Sequence, residues 1–233
     1  MHLLILDPDP AVIPSLHSLK VKPVRRFSTL EDLSNIPCTW RGGICYHPSD
    51  SELPARAVWR IQEPFNTTNE THLAHAAEFF RSFVRTIKEY CPLARVTIYD
   101  MPPRSPLGES NEVVKIKTLA AMMVTEILDW LSPDSSRIFA PSHYQACILQ
   151  VRNALKMRWG DQKVYPIIRP DPPNDLLAHI QSLRSLQCPH RKTGRRPDGI
   201  TIDAVGQSPQ QQLECLKAIR ERFPYRPAEP SNS

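Results

Sequence analysis

The feature that most constrains this chain is a regular alternation of strand-like and helix-like segments that begins near residue 57. "AVWRI" at 57–61 reads as a strand. Residues 70–90 read as a helix, because Leu73, Ala76, Ala77, Phe80, Phe83, Val84 and Ile87 recur at steps of three and four. Thr71 is the predicted cap of that helix and Pro92 its stop. The unit then repeats. Strand 95–100 leads to helix 111–131, with Asn111 as cap and Pro133 beyond the end. Strand 137–141 leads to helix 144–160, strand 163–168 to helix 173–186, and strand 199–204 to helix 208–223. Each strand-to-strand connection is long enough for a crossover, so the pattern predicts a parallel sheet and the α/β class.

The first 56 residues fit this scheme less readily. "LLILD", "KPVRRF" and "GICYH" add three strand candidates to the five above, and eight strands suggest a TIM-barrel-like (β/α) fold. The early connections are barely long enough to hold a helix. Residues 1–56 are therefore expected to pair antiparallel or to form a reduced, irregular front end. The chain reads as one barrel-like domain over 1–223 with a disordered tail at 224–233. "LLILDPDPAVIPSL" also resembles the opening of a response-regulator receiver domain, which keeps its phospho-acceptor aspartate at the end of the third strand. "GICYHPSD" offers His47 at that place.

Composition excludes several classes. A chain of 233 residues with 41% hydrophobic residues can bury a full core. Its net charge of +5 is too small and too evenly spread to imply nucleic acid, and the one basic patch, at 190–199, reads as a solvated loop. The 24 prolines fall singly or in pairs just after apolar runs, as in "PIIRPDPP", and so punctuate elements rather than forming a low-complexity tract. The six cysteines show no C-x-x-C spacing, so neither a zinc site nor a disulfide framework is expected. "MHLLILDPDP" is too short an apolar run for an export signal, and no run approaches the ~20 apolar residues of a membrane span. A cytoplasmic protein with reduced thiols is the expectation, in which the sequons at Asn66 and Asn69 carry no consequence.

Chemistry in a parallel α/β fold gathers at strand tips. "RVTIYDMPPRSP" ends its strand on Asp100, and Pro102 and Pro103 then stop the ladder and stiffen the loop. Acids stand at four predicted tips: Glu63, Asp100, Asp171 and Asp203. Turn capping, or pairing with Arg104 and Arg169, is the alternative role for all four. Tyr99 and Tyr144 lie where they could stack on a sugar ring, and His143 where it could bond a hydroxyl. A filling or structural role is open to each. There is no G-x-S-x-G, G-x-G-x-x-G, P-loop or H-E-x-x-H pattern, so no cofactor is expected.

"SSRIFAPSHYQ" followed by "KVYPIIRPD", and then "PDGITIDAVG", resembles the late strands of the hyaluronidase-like (β/α)-barrel glycoside hydrolases over residues 57–223. That resemblance implies a carbohydrate or polyol ligand above the strand tips. It also places "VTIYDMPPR" at the family's catalytic strand, which carries an Asp-x-Glu pair. Where the family's acid stands, this chain has Pro102. Two readings follow. One is a hydrolase using Asp100 with Asp203 or Glu63, and with Tyr99, Arg104, His143, Tyr144, Arg169 and Asp171 around the substrate. The other is a non-catalytic barrel that binds a glycan or a protein in the same cleft. A regulatory protein with a receiver-like N-terminal half is the third alternative.

Overall fold

The computed structural model describes residues 1–47, 70–100, 128–133, 163–170, 176–185 and 198–225. Eight strand segments form one sheet: β1 (His2–Leu6), β2 (Val21–Phe27), β3 (Gly43–Tyr46), β4 (Arg95–Asp100), β5 (Trp130–Pro133), β6 (Lys163–Val164), β7 (Ile167–Ile168) and β8 (Gly199–Asp203). The described helices are α1 (Ile13–Leu16), α2 (Leu30–Leu33), α3 (Glu70–Tyr90), α4 (Leu176–Ser185) and α5 (Pro209–Arg222). The strand order is β6-β5-β4-β3-β2-β1-β8-β7 and every pairing is parallel. The α/β class expected from the alternation is therefore present.

The sheet is strongly curled, and the chain itself forces the curl. β6 and β7 stand at opposite ends of the order, yet only Tyr165 and Pro166 separate them. Eight flat strands at ~4.8 Å spacing would set the ends roughly 34 Å apart. Three peptide steps span only about 11 Å. Pro166, which has no N–H, divides the single strand expected at 163–168 into two short ones, and its carbonyl accepts from Thr201 N at 2.9 Å.

Alternation along β1 sorts the core into two layers. Leu4 and Leu6 join Val24, Cys45, Trp130, Tyr165 and Ile167 inside the curl, a cluster contributed by strands and the β6–β7 link alone. Leu3 and Ile5 pack outside with Ile200 and Ile202, under Ile180 and Leu183 of α4 and Leu216 and Ile219 of α5. On the neighbouring outer face Tyr46 stacks on Phe83 of α3 at 4.1 Å and Phe27 on Tyr46 at 5.3 Å. α3 presents Ala77, Phe80, Phe83, Val84 and Ile87 to that core and covers the bounds read from its periodicity, starting one residue before Thr71. α5 opens on a capping box between Ser208 and Gln211, with Pro209 in its first turn.

Three expectations need correction. The described part of the front end is not antiparallel: β1, β2 and β3 pair in parallel, because crossovers reduced to four-residue helices suffice. The helix expected at 111–131 does not reach its predicted end, since Trp130 and Leu131 belong to β5, and Pro133 ends a strand rather than following a helix. Thr97 Oγ1 donates to Trp130 O at 2.7 Å and lies 3.1 Å from Ser132 Oγ, buried contacts that hold the segment extended beside β4. At the C-terminus, Tyr225 packs edge-on against His2 at 5.7 Å although it falls in the stretch read as a tail. The expected strands at 57–61 and 137–141, and the helix at 144–160, lie outside the described residues. No described helix is long and apolar enough to cross a membrane.

Candidate functional site

All described strands run the same way, so their C-terminal tips share one face. β1 stops at Leu6 because Asp7 turns into the left-handed region at φ 46° ahead of Pro8, a conformation aspartate tolerates better than most residues. Asp7 N still donates to Val24 O at 2.8 Å, and Asp7 Oδ1 accepts from the Arg26 backbone N–H at 2.8 Å. The turn is thereby fixed to β2.

Arg26 is the centre of the arrangement. Its Nη2 donates to Asp203 Oδ1 at 2.7 Å, and its Nε lies 3.4 Å from Asp7 Oδ2. Arg169, just past β7, donates through Nε to Asp203 Oδ2 at 3.0 Å. Four side chains from β1, β2, β7 and β8 thus form one chain of alternating charge. Exposure grades along it: the Asp203 side chain is 0% exposed, Arg26 15%, Asp7 34% and Arg169 36%. A carboxylate as buried as Asp203 is stable only when paired and hydrogen-bonded, and two guanidiniums plus Val205 N, at 3.4 Å, supply this.

Asp7 has a different environment. Burial raises its carboxyl above the ordinary range, with the Asp203 charge adding a little. The Arg26 backbone bond and the charges of Arg26 and Arg25 oppose the rise. Beneath the cluster, burial pushes the Cys45 thiol far up despite the nearby Arg26 charge, which makes it an inert core group rather than a nucleophile.

A cleft of about 480 Å³ opens beside Asp7 and Arg26 and continues past Ser28 and Asn35 to Trp40. The Arg25 guanidinium lies 5.9 Å over the Trp40 ring on its wall. Asp32, also on the wall, is committed elsewhere: it accepts from Ser28 N and Thr29 N, which lowers its pKa and caps α2. Among the described residues no three His, Cys, Asp or Glu side chains gather as a metal site.

Of the residues singled out in the sequence, Asp203 and Arg169 come together in this cluster. Tyr99 and Asp100 are the last two residues of β4, in register with Ser132 and Pro133. Glu63, Arg104, His143, Tyr144 and Asp171 lie outside the described residues. Asp7 and Arg26 escaped the sequence reading. Asp7 sits before Pro8 and reads as turn chemistry, and adjacent Arg25 and Arg26 give no sign of which faces inward. No family model matches the chain, and no curated protein matches it.

Proposed function

We propose that this chain is a (β/α)-barrel-like protein of the glycoside-hydrolase type that binds a carbohydrate or polyol at the strand-tip cleft. The observation that carries the reading is Asp7, partly exposed at the cleft and held by an arginine that a fully buried aspartate fixes from behind. A carboxyl and a guanidinium in fixed register suit vicinal hydroxyls, which both donate and accept. The cleft volume lies within the range of small-ligand sites.

Asp203 acts here by positioning Arg26, since both its oxygens are committed and its side chain is sealed from ligand. Hydrolysis needs two carboxyl groups flanking the scissile bond. That second reading rests on Asp7, whose raised pKa suits a proton donor. A receiver-like half would place β1 between β2 and β3, whereas here β2 lies between β1 and β3.

Calorimetric titration of a panel of mono- and oligosaccharides against the wild type and Asp7→Asn tests the proposal. Saturable binding weakened about tenfold or more by the substitution, ~1.4 kcal/mol, is expected. A panel without a single saturating member, or binding indifferent to Asp7→Asn, would overturn it.

A further inference from the structure

At the opposite, N-terminal end of the strands a larger cavity of about 750 Å³ opens among the starts of β1 to β5. Lys20, Lys22, Arg41 and Arg95 line it from exposed positions, and none of the four forms an ion pair among the described residues. Among its described lining residues the one acid is Asp129, which is already engaged: Oδ2 accepts from Val96 N at 2.8 Å and stands 3.2 Å from Lys88 Nζ. The described lining therefore carries four cations without a counter-charge of their own. Four like charges converging on one concave surface raise the local concentration of anions.

The inner wall has a different chemistry. Trp130 and Tyr165 are buried and meet edge-on with centroids 6.2 Å apart. Trp130 fits because β3 has Gly43 beneath it, where a Cβ would come within 2.8 Å of the indole. Its Nε1–H is buried with no acceptor among the described residues. An indole N–H can only donate, and buried ones usually find a partner. A bare inorganic anion would use the cations and leave this wall and donor unused. A neutral ring would do the reverse.

We propose that this basal cavity is a second binding site, for a small aromatic anion. A planar ring bearing a hydrogen-bond acceptor lies against Trp130 and Tyr165 and takes the indole proton in a hydrogen bond, and a phosphate or carboxylate at the mouth meets Lys20, Lys22, Arg41 and Arg95. The volume suits a ligand of nucleotide size. Trp40 borders both cavities, but Lys22, Arg95 and Trp130 take no part in the cleft beside Asp7, so variants at these three test this site separately from the carbohydrate reading.

Calorimetry on the full chain with adenosine 5′-monophosphate, phenyl phosphate, adenosine and inorganic phosphate tests the assignment. Both aromatic phosphates should saturate and weaken as salt is raised, with adenosine and inorganic phosphate each about tenfold weaker or more. Lys22→Gln with Arg95→Gln, at exposed strand-end positions, should weaken both by about tenfold at an unchanged thermal midpoint. Trp130→Phe keeps a ring but removes the donor, and should weaken the nucleotide several-fold while sparing phenyl phosphate, whose ring has no acceptor. Failure of both aromatic phosphates to saturate, inorganic phosphate binding as tightly as they do, or a double variant that binds like the wild type would each overturn the proposal. So would a Trp130→Phe variant that holds the nucleotide as well as before.

Discussion

Arg26 reaches across the tip of β1 to hold Asp203: β2 and β8 flank β1 on either side, and the guanidinium of one meets the carboxylate of the other at 2.7 Å. The cluster is therefore structural before it is functional, because the carboxylate it secures has no access to water.

Removing the Asp203 charge should be costly. Asp203→Asn deprives two guanidiniums of their partner at a buried point, and a loss of about 3–5 kcal/mol in urea unfolding is expected. Arg169→Ala leaves Asp203 paired with Arg26 and acts on a side chain 36% exposed, so about 1 kcal/mol or less is expected. Equal costs for the two variants would mean that Arg26 does not dominate the pairing.

Asp7 should show the opposite dependence on pH from a stabilising carboxylate. Its folded pKa is raised, chiefly by burial, so the folded state holds the proton more tightly than the unfolded chain. Its contribution is present below the ordinary aspartate pKa and is lost as pH rises through the folded value. Asp7→Asn, which can still accept from Arg26 N, should therefore stabilise the protein at neutral pH. That advantage should vanish as pH falls through the acid range, and thermal unfolding of both proteins across that range checks it. A variant less stable than the wild type at neutral pH would mean that the Arg26 pairing outweighs burial.

Two glycines should respond to alanine for different reasons. A Cβ at Gly199 would strike the His2 carbonyl of the adjacent strand, which is backbone and cannot yield, so Gly199→Ala should cost about 3 kcal/mol or more. Gly206 has φ +82°, and a methyl group there would meet nothing within 4 Å, so Gly206→Ala should cost only about 1 kcal/mol, from backbone strain. Chemical denaturation of the pair separates steric from conformational cost.

Periodicity in the sequence carried the elements it could carry. α3 has a strict three-and-four repeat of large apolar residues and was legible to its ends. β1, β2, β3, β4 and β8 were each recognisable from short runs rich in apolar and β-branched residues between turn signals. β5 was not, because Trp130 and Leu131 continue a helical spacing, and only the partners Thr97, Tyr165 and Gly43 favour the extended form. The site was half legible for a related reason. Asp203 and Arg169 stand at predicted tips, whereas the importance of Asp7 and Arg26 depends on β1 lying between β2 and β8, a neighbour relation that no local pattern encodes.

The thiols provide a test of the curled core. Among the described residues Cys38, Cys45, Cys91 and Cys215 are free thiols. Cys38 is exposed, whereas burial pushes the Cys215 thiol up to about 11 and raises Cys45 further, beyond reach of ionisation near neutrality. Only the thiolate attacks a disulfide reagent, so reactivity should follow this order. At mildly alkaline pH Cys38 should react first, Cys215 slowly, and Cys45 only when the sheet opens. Cys45 packs inside the curl with Leu4, Leu6 and Val24, so no local fraying of a helix uncovers it. Its modification rate, followed by peptide mapping, should rise with urea in parallel with global unfolding. A Cys45 that reacts as fast as Cys38 in native buffer would mean that the inner layer is open to solvent.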